Sequence, residues 1–214
     1  MARTIKIHSA TVRLTHWMTA VAIVVMVGSG WRIYDWDPIF SWLYFPFWMT
    51  LGGERTLSQA VHNEEGLAGA LQWHFAAMWL LAASFAVYVV HSAVTGHFRR
   101  HFLPLSPAGV LRDVKAALSG RLEHKVGERN AVQRVLYAGV LLAILLMLLS
   151  GLSIWKPVQF SWLTWAFGDY DTARVVHFLG MAAIVGFLVV HLALVVLVPK
   201  VLPPMITGRA REHV

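Results

Sequence analysis

Four stretches of this chain leave it little choice of fold. They run at about 14–31, 73–94, 135–155 and 175–198, and none contains an Asp or a Glu. Each is close to the ~20 apolar residues a helix needs to cross the hydrocarbon core of a bilayer. In lipid every backbone N–H and C=O must be satisfied inside the protein, and a helix does this within one segment. The sequence therefore predicts an all-α integral membrane protein. Its four-transmembrane-helix bundle forms a single membrane domain over 1–214. Only 14% of the residues are charged, against roughly a quarter in soluble domains, so little chain is expected outside the membrane.

The first block has a basic lead-in (Arg3, Lys6, Arg13), but no A-x-A-like cleavage site follows it. It is therefore expected to be a retained span rather than a signal peptide. The stretch WRIYDWDPIFSWLYF opens an external loop over 32–72. Residues 36–60 of that loop are expected to form a short helix on the membrane surface. Residues 105–130 predict a cytoplasmic amphipathic helix and a turn, with Ser106 and Pro107 as N-cap and first-turn pair. There is no cysteine. That excludes disulfides, iron–sulfur ligation and thiolate zinc sites.

The net charge of +7 is unevenly placed. Fourteen of the eighteen Lys and Arg precede the first span, lie between the second and third, or follow the fourth. The positive-inside rule then puts both termini in the cytoplasm. The opposite side carries only Arg32, Arg55, Lys156 and Arg174 among seven acidic residues. Because the cations flank spans, they report topology and lipid contact, and no nucleic-acid partner is expected. Trp17, Trp31, Trp73, Trp155 and Trp165 fall at or near span ends, as interfacial rings do.

Eleven histidines remain to be placed. His177 and His191 are fourteen residues apart in the last span, about 21 Å along a helix axis. Their side chains differ by about 40° around a straight helix and coincide at the 3.5-residue period of a left-handed bundle. One helix face thus offers two imidazoles, one towards each membrane surface, suited to two separate metal centres. Depth supplies the partners. His74 opens the second span on the external side, and His16 opens the first on the cytoplasmic side. The pairs are then His74–His177 outside and His16–His191 inside. Two imidazoles with no carboxylate beside them form the ligand set of a six-coordinate haem. His91, at the depth of His16, is an alternative ligand. A hydrogen bond between helices is the plainer role for any of these rings. His8, His62, His97, His101, His124 and His213 read as solvated surface residues. Gly28, Gly30, Gly151, Gly180 and Gly186 allow close approach of a helix or a macrocycle.

Several of these residues together resemble a known family. RLTHW at 13–17, the histidine opening the second span, NAVQ at 130–133, SGLSIWKP at 150–157 and the H-x13-H of the last span resemble cytochrome b561-like membrane subunits. These are the di-haem cytochrome b (gamma) subunits of formate dehydrogenase, [NiFe] hydrogenase and thiosulfate-reductase-type complexes. The resemblance implies two haem b groups, ligated in the pairs that depth suggests, in a multi-pass protein of the bacterial inner membrane. It also implies a quinone pocket near the start of the third span, where Asn130 and Gln133 match. The plainer role of those two residues is to begin a helix. The long tryptophan-rich external loop departs from the hydrogenase branch.

The expected function is electron transfer between a periplasmic redox subunit, of molybdopterin or hydrogenase type, and the quinone pool. No catalytic side chain of the chain's own is expected. Arg13 and Arg174, three residues before His16 and His177, are candidates to hold haem propionates. The alternative is a stand-alone superoxide:quinone oxidoreductase of the same family. The acidic external side disfavours it, since a cationic funnel would be needed to attract the anion. A non-haem transporter is disfavoured by the lack of carboxylates within the spans.

Overall fold

The structure is a computed structural model that describes residues 3–52, 67–96, 98, 106–119 and 130–212. Four long helices dominate it: α1 (Ala10–Trp36), α2 (Ala68–Val94), α4 (Ala131–Trp155) and α6 (Tyr170–Leu197). Shorter helices are α3 (Pro107–Leu118), α5 (Ser161–Ala166) and α7 (Leu202–Thr207). All four long helices are apolar and long enough to cross a membrane, and 11–28% of each apolar window is buried within the protein. The remaining apolar surface requires a non-aqueous surrounding, so this is an all-α integral membrane fold. At 25–28 residues each, the helices run about 38–42 Å at 1.5 Å per residue. They are longer than the apolar runs and reach beyond a core of about 30 Å.

The chain divides into two compact units. The first comprises Leu14–Val87 and Ser150–Phe178. Its buried residues are mostly small: Ala22, Ser29, Ala70, Ser84, Ser150, Ser153 and Ala173 are at most 1% exposed. Small residues let helices approach closely where water supplies no driving force. The hydroxyls of Thr19 and Ser84 join α1 to α2 at 3.0 Å. Ser153 Oγ donates to Thr164 Oγ1 at 2.9 Å, which fixes the short α5 with Leu163 inward and Trp162 and Trp165 outward.

The loop between α1 and α2 differs from expectation. Among its described residues, 37–52, the only helical turn is a three-residue 3-10 helix, Phe47–Met49. No surface helix forms there, because Pro38 and Pro46 interrupt the stretch and α1 side chains capture its backbone. Tyr34 Oη bridges Phe40 N–H and C=O, and Asp35 Oδ1 accepts the Phe45 N–H at 3.0 Å. Phe45 stacks on Trp31 at 4.7 Å, and Phe40 and Tyr34 both meet the ring of Phe178. The Leu51 N–H bonds the Gly28 carbonyl. At the return to α2, Gly52 takes φ +82°, and a Cβ on Gly69 would lie 2.5 Å from the Gly52 oxygen. Residues 53–66, with His62 and the rest of the expected surface helix, lie outside the described residues.

The second unit comprises Met1–Arg13, Tyr88–Leu149 and Leu179–Val214. Its unforeseen feature is a ribbon of two four-residue strands, β1 (Arg3–Lys6) and β2 (Arg209–Glu212). They pair antiparallel, with Arg3 opposite Glu212 and Lys6 opposite Arg209. Gly208, at φ +79°, ends α7 and accepts the Ile7 N–H at 2.9 Å. Both ends of the described chain are therefore on one side of the fold. Ser9 caps α1 by accepting the Val12 N–H at 3.3 Å. Ser106 Oγ accepts the Gly109 N–H and so begins α3, as read from the sequence. Asp113 Oδ2 on α3 accepts the Ala131 N–H at 2.7 Å, docking α3 on the start of α4. Residues 120–129, the remainder of the expected amphipathic segment, lie outside the described residues, as do His97, His101 and His213.

Two stability predictions follow from these joints. Gly69→Ala overpacks the return to α2 and is expected to cost about 1–3 kcal/mol, read as a lower melting temperature in detergent. Asp169, exposed just ahead of α6, accepts the Thr172 N–H at 2.6 Å, and that bond holds its carboxyl below the usual carboxylate range. A group with a lowered native pKa stabilises the fold above its unfolded value of about 3.9 and loses that effect as pH falls through the native value. The melting-temperature gap between the protein and Asp169→Ala should be full above about pH 4 and close below it.

Candidate metal centre

His74 lies near the start of α2, and His177 lies in the second turn of α6. Their rings face one another with centroids 6.4 Å apart and planes at 61°. Each ring is held by a Ser–Gly pair from a neighbouring helix. Ser29 Oγ on α1 lies 3.1 Å from His74 Nδ1, and Ser150 Oγ on α4 lies 2.9 Å from His177 Nδ1. The adjoining glycines lie against the same rings. A Cβ on Gly30 would sit 3.3 Å from His74 Cε1, and one on Gly151 would sit 3.3 Å from His177 Cε1. All four helices thus build one site, two giving an imidazole and two giving a hydroxyl and a clearance.

This geometry fits a metal held between two rings. An imidazole nitrogen lies about 2.0–2.1 Å from a bound metal, so two rings that shared one metal from opposite sides would have centroids roughly 6.3 Å apart. With Nδ1 beside serine, Nε2 is the nitrogen of each ring that would be left to hold a metal. Among the described residues there is no cluster of three or more His, Asp or Glu that could hold an ion. Zinc asks its protein for three or four ligands, whereas a haem, whose macrocycle supplies four, asks for two. The indole N–H of Trp31, next to Gly30, is buried without a hydrogen-bond partner among the described residues, a donor suited to a propionate.

The other candidates are placed as follows. His16, half-buried on α1, meets Trp17 edge-on at 5.5 Å. His191, half-buried on α6, stacks on Phe187 at 5.7 Å. They fall in different units of the chain. His91 is engaged by Ser9, whose Oγ lies 3.1 Å from its Nε2. Arg13 donates to the Ile206 carbonyl. Arg174 bonds the Asp37 carbonyl at 2.6 Å and the Asp37 carboxylate at 3.0 Å, and lies 3.7 Å from Asp171. Asn130 and Gln133 form a reciprocal capping box at the start of α4. Asn130 Oδ1 accepts the Gln133 N–H, and Gln133 Oε1 accepts the Asn130 N–H. Asn130 also lines a cavity of about 580 Å³ with Ser106, Gly109, Arg112, Asp113 and Arg134. Ser29 and Ser150 were not anticipated. The dipeptide Ser–Gly recurs at 29–30 and 150–151, on the two spans that carry neither His74 nor His177, and that repeat was the available signal.

Comparison with known proteins decides the family. The family model described as prokaryotic cytochrome b561 matches residues 7–208. The chain belongs to that family. Membership implies binding of haem b, and the paired imidazoles are suited to it. A protein of Azospira oryzae named "Putative protein-methionine-sulfoxide reductase subunit YedZ1" is 44% identical over 203 residues, 94% of this chain and 96% of that one. Two proteins named "Probable Ni/Fe-hydrogenase B-type cytochrome subunit" are more distant. The one from Bradyrhizobium diazoefficiens is 24% identical, covering 88% of this chain and 76% of its own length. The one from Cupriavidus necator is 23% identical, covering 86% and 76%. Relatives of this cytochrome are thus named as subunits of redox complexes.

The glycines give a direct test of the site. Gly30→Ala or Gly151→Ala forces an imidazole to shift and should weaken haem retention about tenfold, measured by haem loss to an apo-protein acceptor. Gly139→Ala, where a Cβ meets nothing within 4 Å, should retain haem as the parent does.

Proposed function

We propose that this cytochrome is a di-haem b electron-transfer subunit of the bacterial inner membrane, linking a periplasmic redox enzyme to the quinone pool. The observation that carries the reading is the His74–His177 pair, two rings 6.4 Å apart with a Ser–Gly pair behind each. We assign the periplasmic-side haem iron to His74 and His177. We assign the cytoplasmic-side iron to His16 and His191, on their depth and helical phase in the sequence. When bound, the haems supply one-electron carriers near each side of the membrane. The protein's part is to fix both macrocycles, exclude water and set their potentials.

Orientation follows from charge. Fourteen of the eighteen Lys and Arg precede the first span, lie between the second and third, or follow the fourth, and by the positive-inside rule we assign those segments to the cytoplasm. The aromatic loop and the His74–His177 centre are then periplasmic. We assign the quinone headgroup to the 580 Å³ cavity at the α3–α4 joint. There Asn130 and Gln133 would act by shaping the start of α4, since their side chains already form its cap. Arg13 and Arg174 each have five guanidinium donors, more than their protein partners use, so either can also take a propionate. The 44%-identical relative is named as a reductase subunit. That favours a periplasmic reductase as partner over a hydrogenase, with electrons flowing outward from quinol.

The test is a pyridine haemochrome assay with a reduced-minus-oxidised spectrum on the purified protein. Two b haems per chain, reducible by quinol, are expected. His74→Ala and His177→Ala should each lose one haem, and His16→Ala and His191→Ala the other. Retention of two haems in all four variants would overturn the ligand assignment.

A further inference from the structure

The two serines behind the external pair do more than fill space. A serine hydroxyl has one proton to give. Ser29 lies 2.7 Å from the Val25 carbonyl, one turn back on its own helix, and 3.1 Å from His74 Nδ1. A carbonyl can only accept, so the hydroxyl proton goes to Val25. The Ser29 oxygen must then accept from His74, and the proton of that ring is fixed on Nδ1. The relay is His74 Nδ1–H to Ser29 Oγ–H to Val25 C=O. Ser150 Oγ lies 2.9 Å from His177 Nδ1; a metal on Nε2 would leave that ring's proton on Nδ1, and the Ser150 oxygen would then accept it. Both serines are fully buried, with 0% exposure, where no water can replace them.

We propose that Ser29 and Ser150 are paired positioning residues that fix the tautomer and ring orientation of His74 and His177 and thereby lower the reduction potential of the external haem. This rests on the reading of His74 and His177 as its axial ligands. An acceptor on the distal N–H of a ligating imidazole raises the basicity of the metal-bound nitrogen. A more basic ligand favours the ferric over the ferrous state. Two such acceptors, one on each axial ligand, act in the same direction. The hydroxyls also set the rotation of each ring about its own bond, and the glycine beside each serine lets the ring come in close.

The experiment is a redox titration, followed by visible absorption and by EPR, of the full-length cytochrome in detergent. Ser29→Ala and Ser150→Ala are compared with the parent and with Ser84→Ala. Ser84 is a comparably buried serine on α2 that bonds Thr19 and the Leu81 carbonyl, so its loss imitates the packing and hydrogen-bond defect without touching His74 or His177. His74→Ala identifies which wave in the titration belongs to the external haem.

Each single serine variant should move the reduction equilibrium of that haem about three- to tenfold towards ferrous, tenfold being ~59 mV for one electron. The double variant should move it further, and the other haem should stay in place. The low-spin ferric EPR signal of the external haem, sensitive to the angle between axial rings, should shift or broaden. Ser84→Ala should do neither. Selective loss of the external haem in a serine variant, with Ser84→Ala retaining it, would likewise support the proposal. If both serine variants titrate as Ser84→Ala does, or shift towards ferric, the proposal is wrong. If His74→Ala itself keeps both haems, the ligand assignment fails instead. Should one serine variant not fold, the other tests the same relation on the opposite ring.

Discussion

Polar groups inside a membrane span have no water to fall back on, and this constraint organises the rest of the fold. An imidazole in such a place must be bonded from within, and here the bond comes from a neighbouring helix. Ser29 serves His74 and Ser150 serves His177. Thr19 with Ser84 and Ser153 with Thr164 extend the pattern to hydroxyl pairs. Because the donors and acceptors are short side chains, the helices that carry them must come close. The small buried residues at those contacts are the counterpart of that demand. Polar satisfaction and close packing are thus one requirement, and the paired rings are where it is met most fully.

Much of this was legible in the sequence because the membrane imposes a length and a polarity rule on every span. Four apolar runs gave four helices. The meeting of His74 with His177 was legible from depth alone. The serines were not. A serine in an apolar run reads as tolerated polarity, and only the three-dimensional neighbour shows what its hydroxyl does. The external loop resisted for another reason. Its aromatic richness suggested an interfacial helix, but the outcome depended on Tyr34 and Asp35 reaching back for backbone groups, a tertiary effect that no periodicity reports. The β1–β2 ribbon was hidden because four residues at each end carry no pattern until they find one another. The capping box of Asn130 and Gln133 was readable as a helix start, which is how the structure uses it.

Arg174 illustrates how one side chain can serve fold and site together. It reaches from α6, one turn before His177, to the backbone and carboxylate of Asp37 just beyond α1. Phe178, next to His177, packs on Tyr34 and Phe40. The loop between α1 and α2 is therefore moored to the segment that carries His177, and its shape and the position of that ring are set together.

That mooring also lays rings end to end. Trp42, 77% exposed, lies 5.8 Å from Phe40, which lies 5.6 Å from Phe178, the residue beside His177. The three rings thus form a continuous aromatic row from the tip of the loop to the turn of α6 that carries His177. A side chain on the protein surface is thereby in ring-to-ring continuity with the residue next to His177.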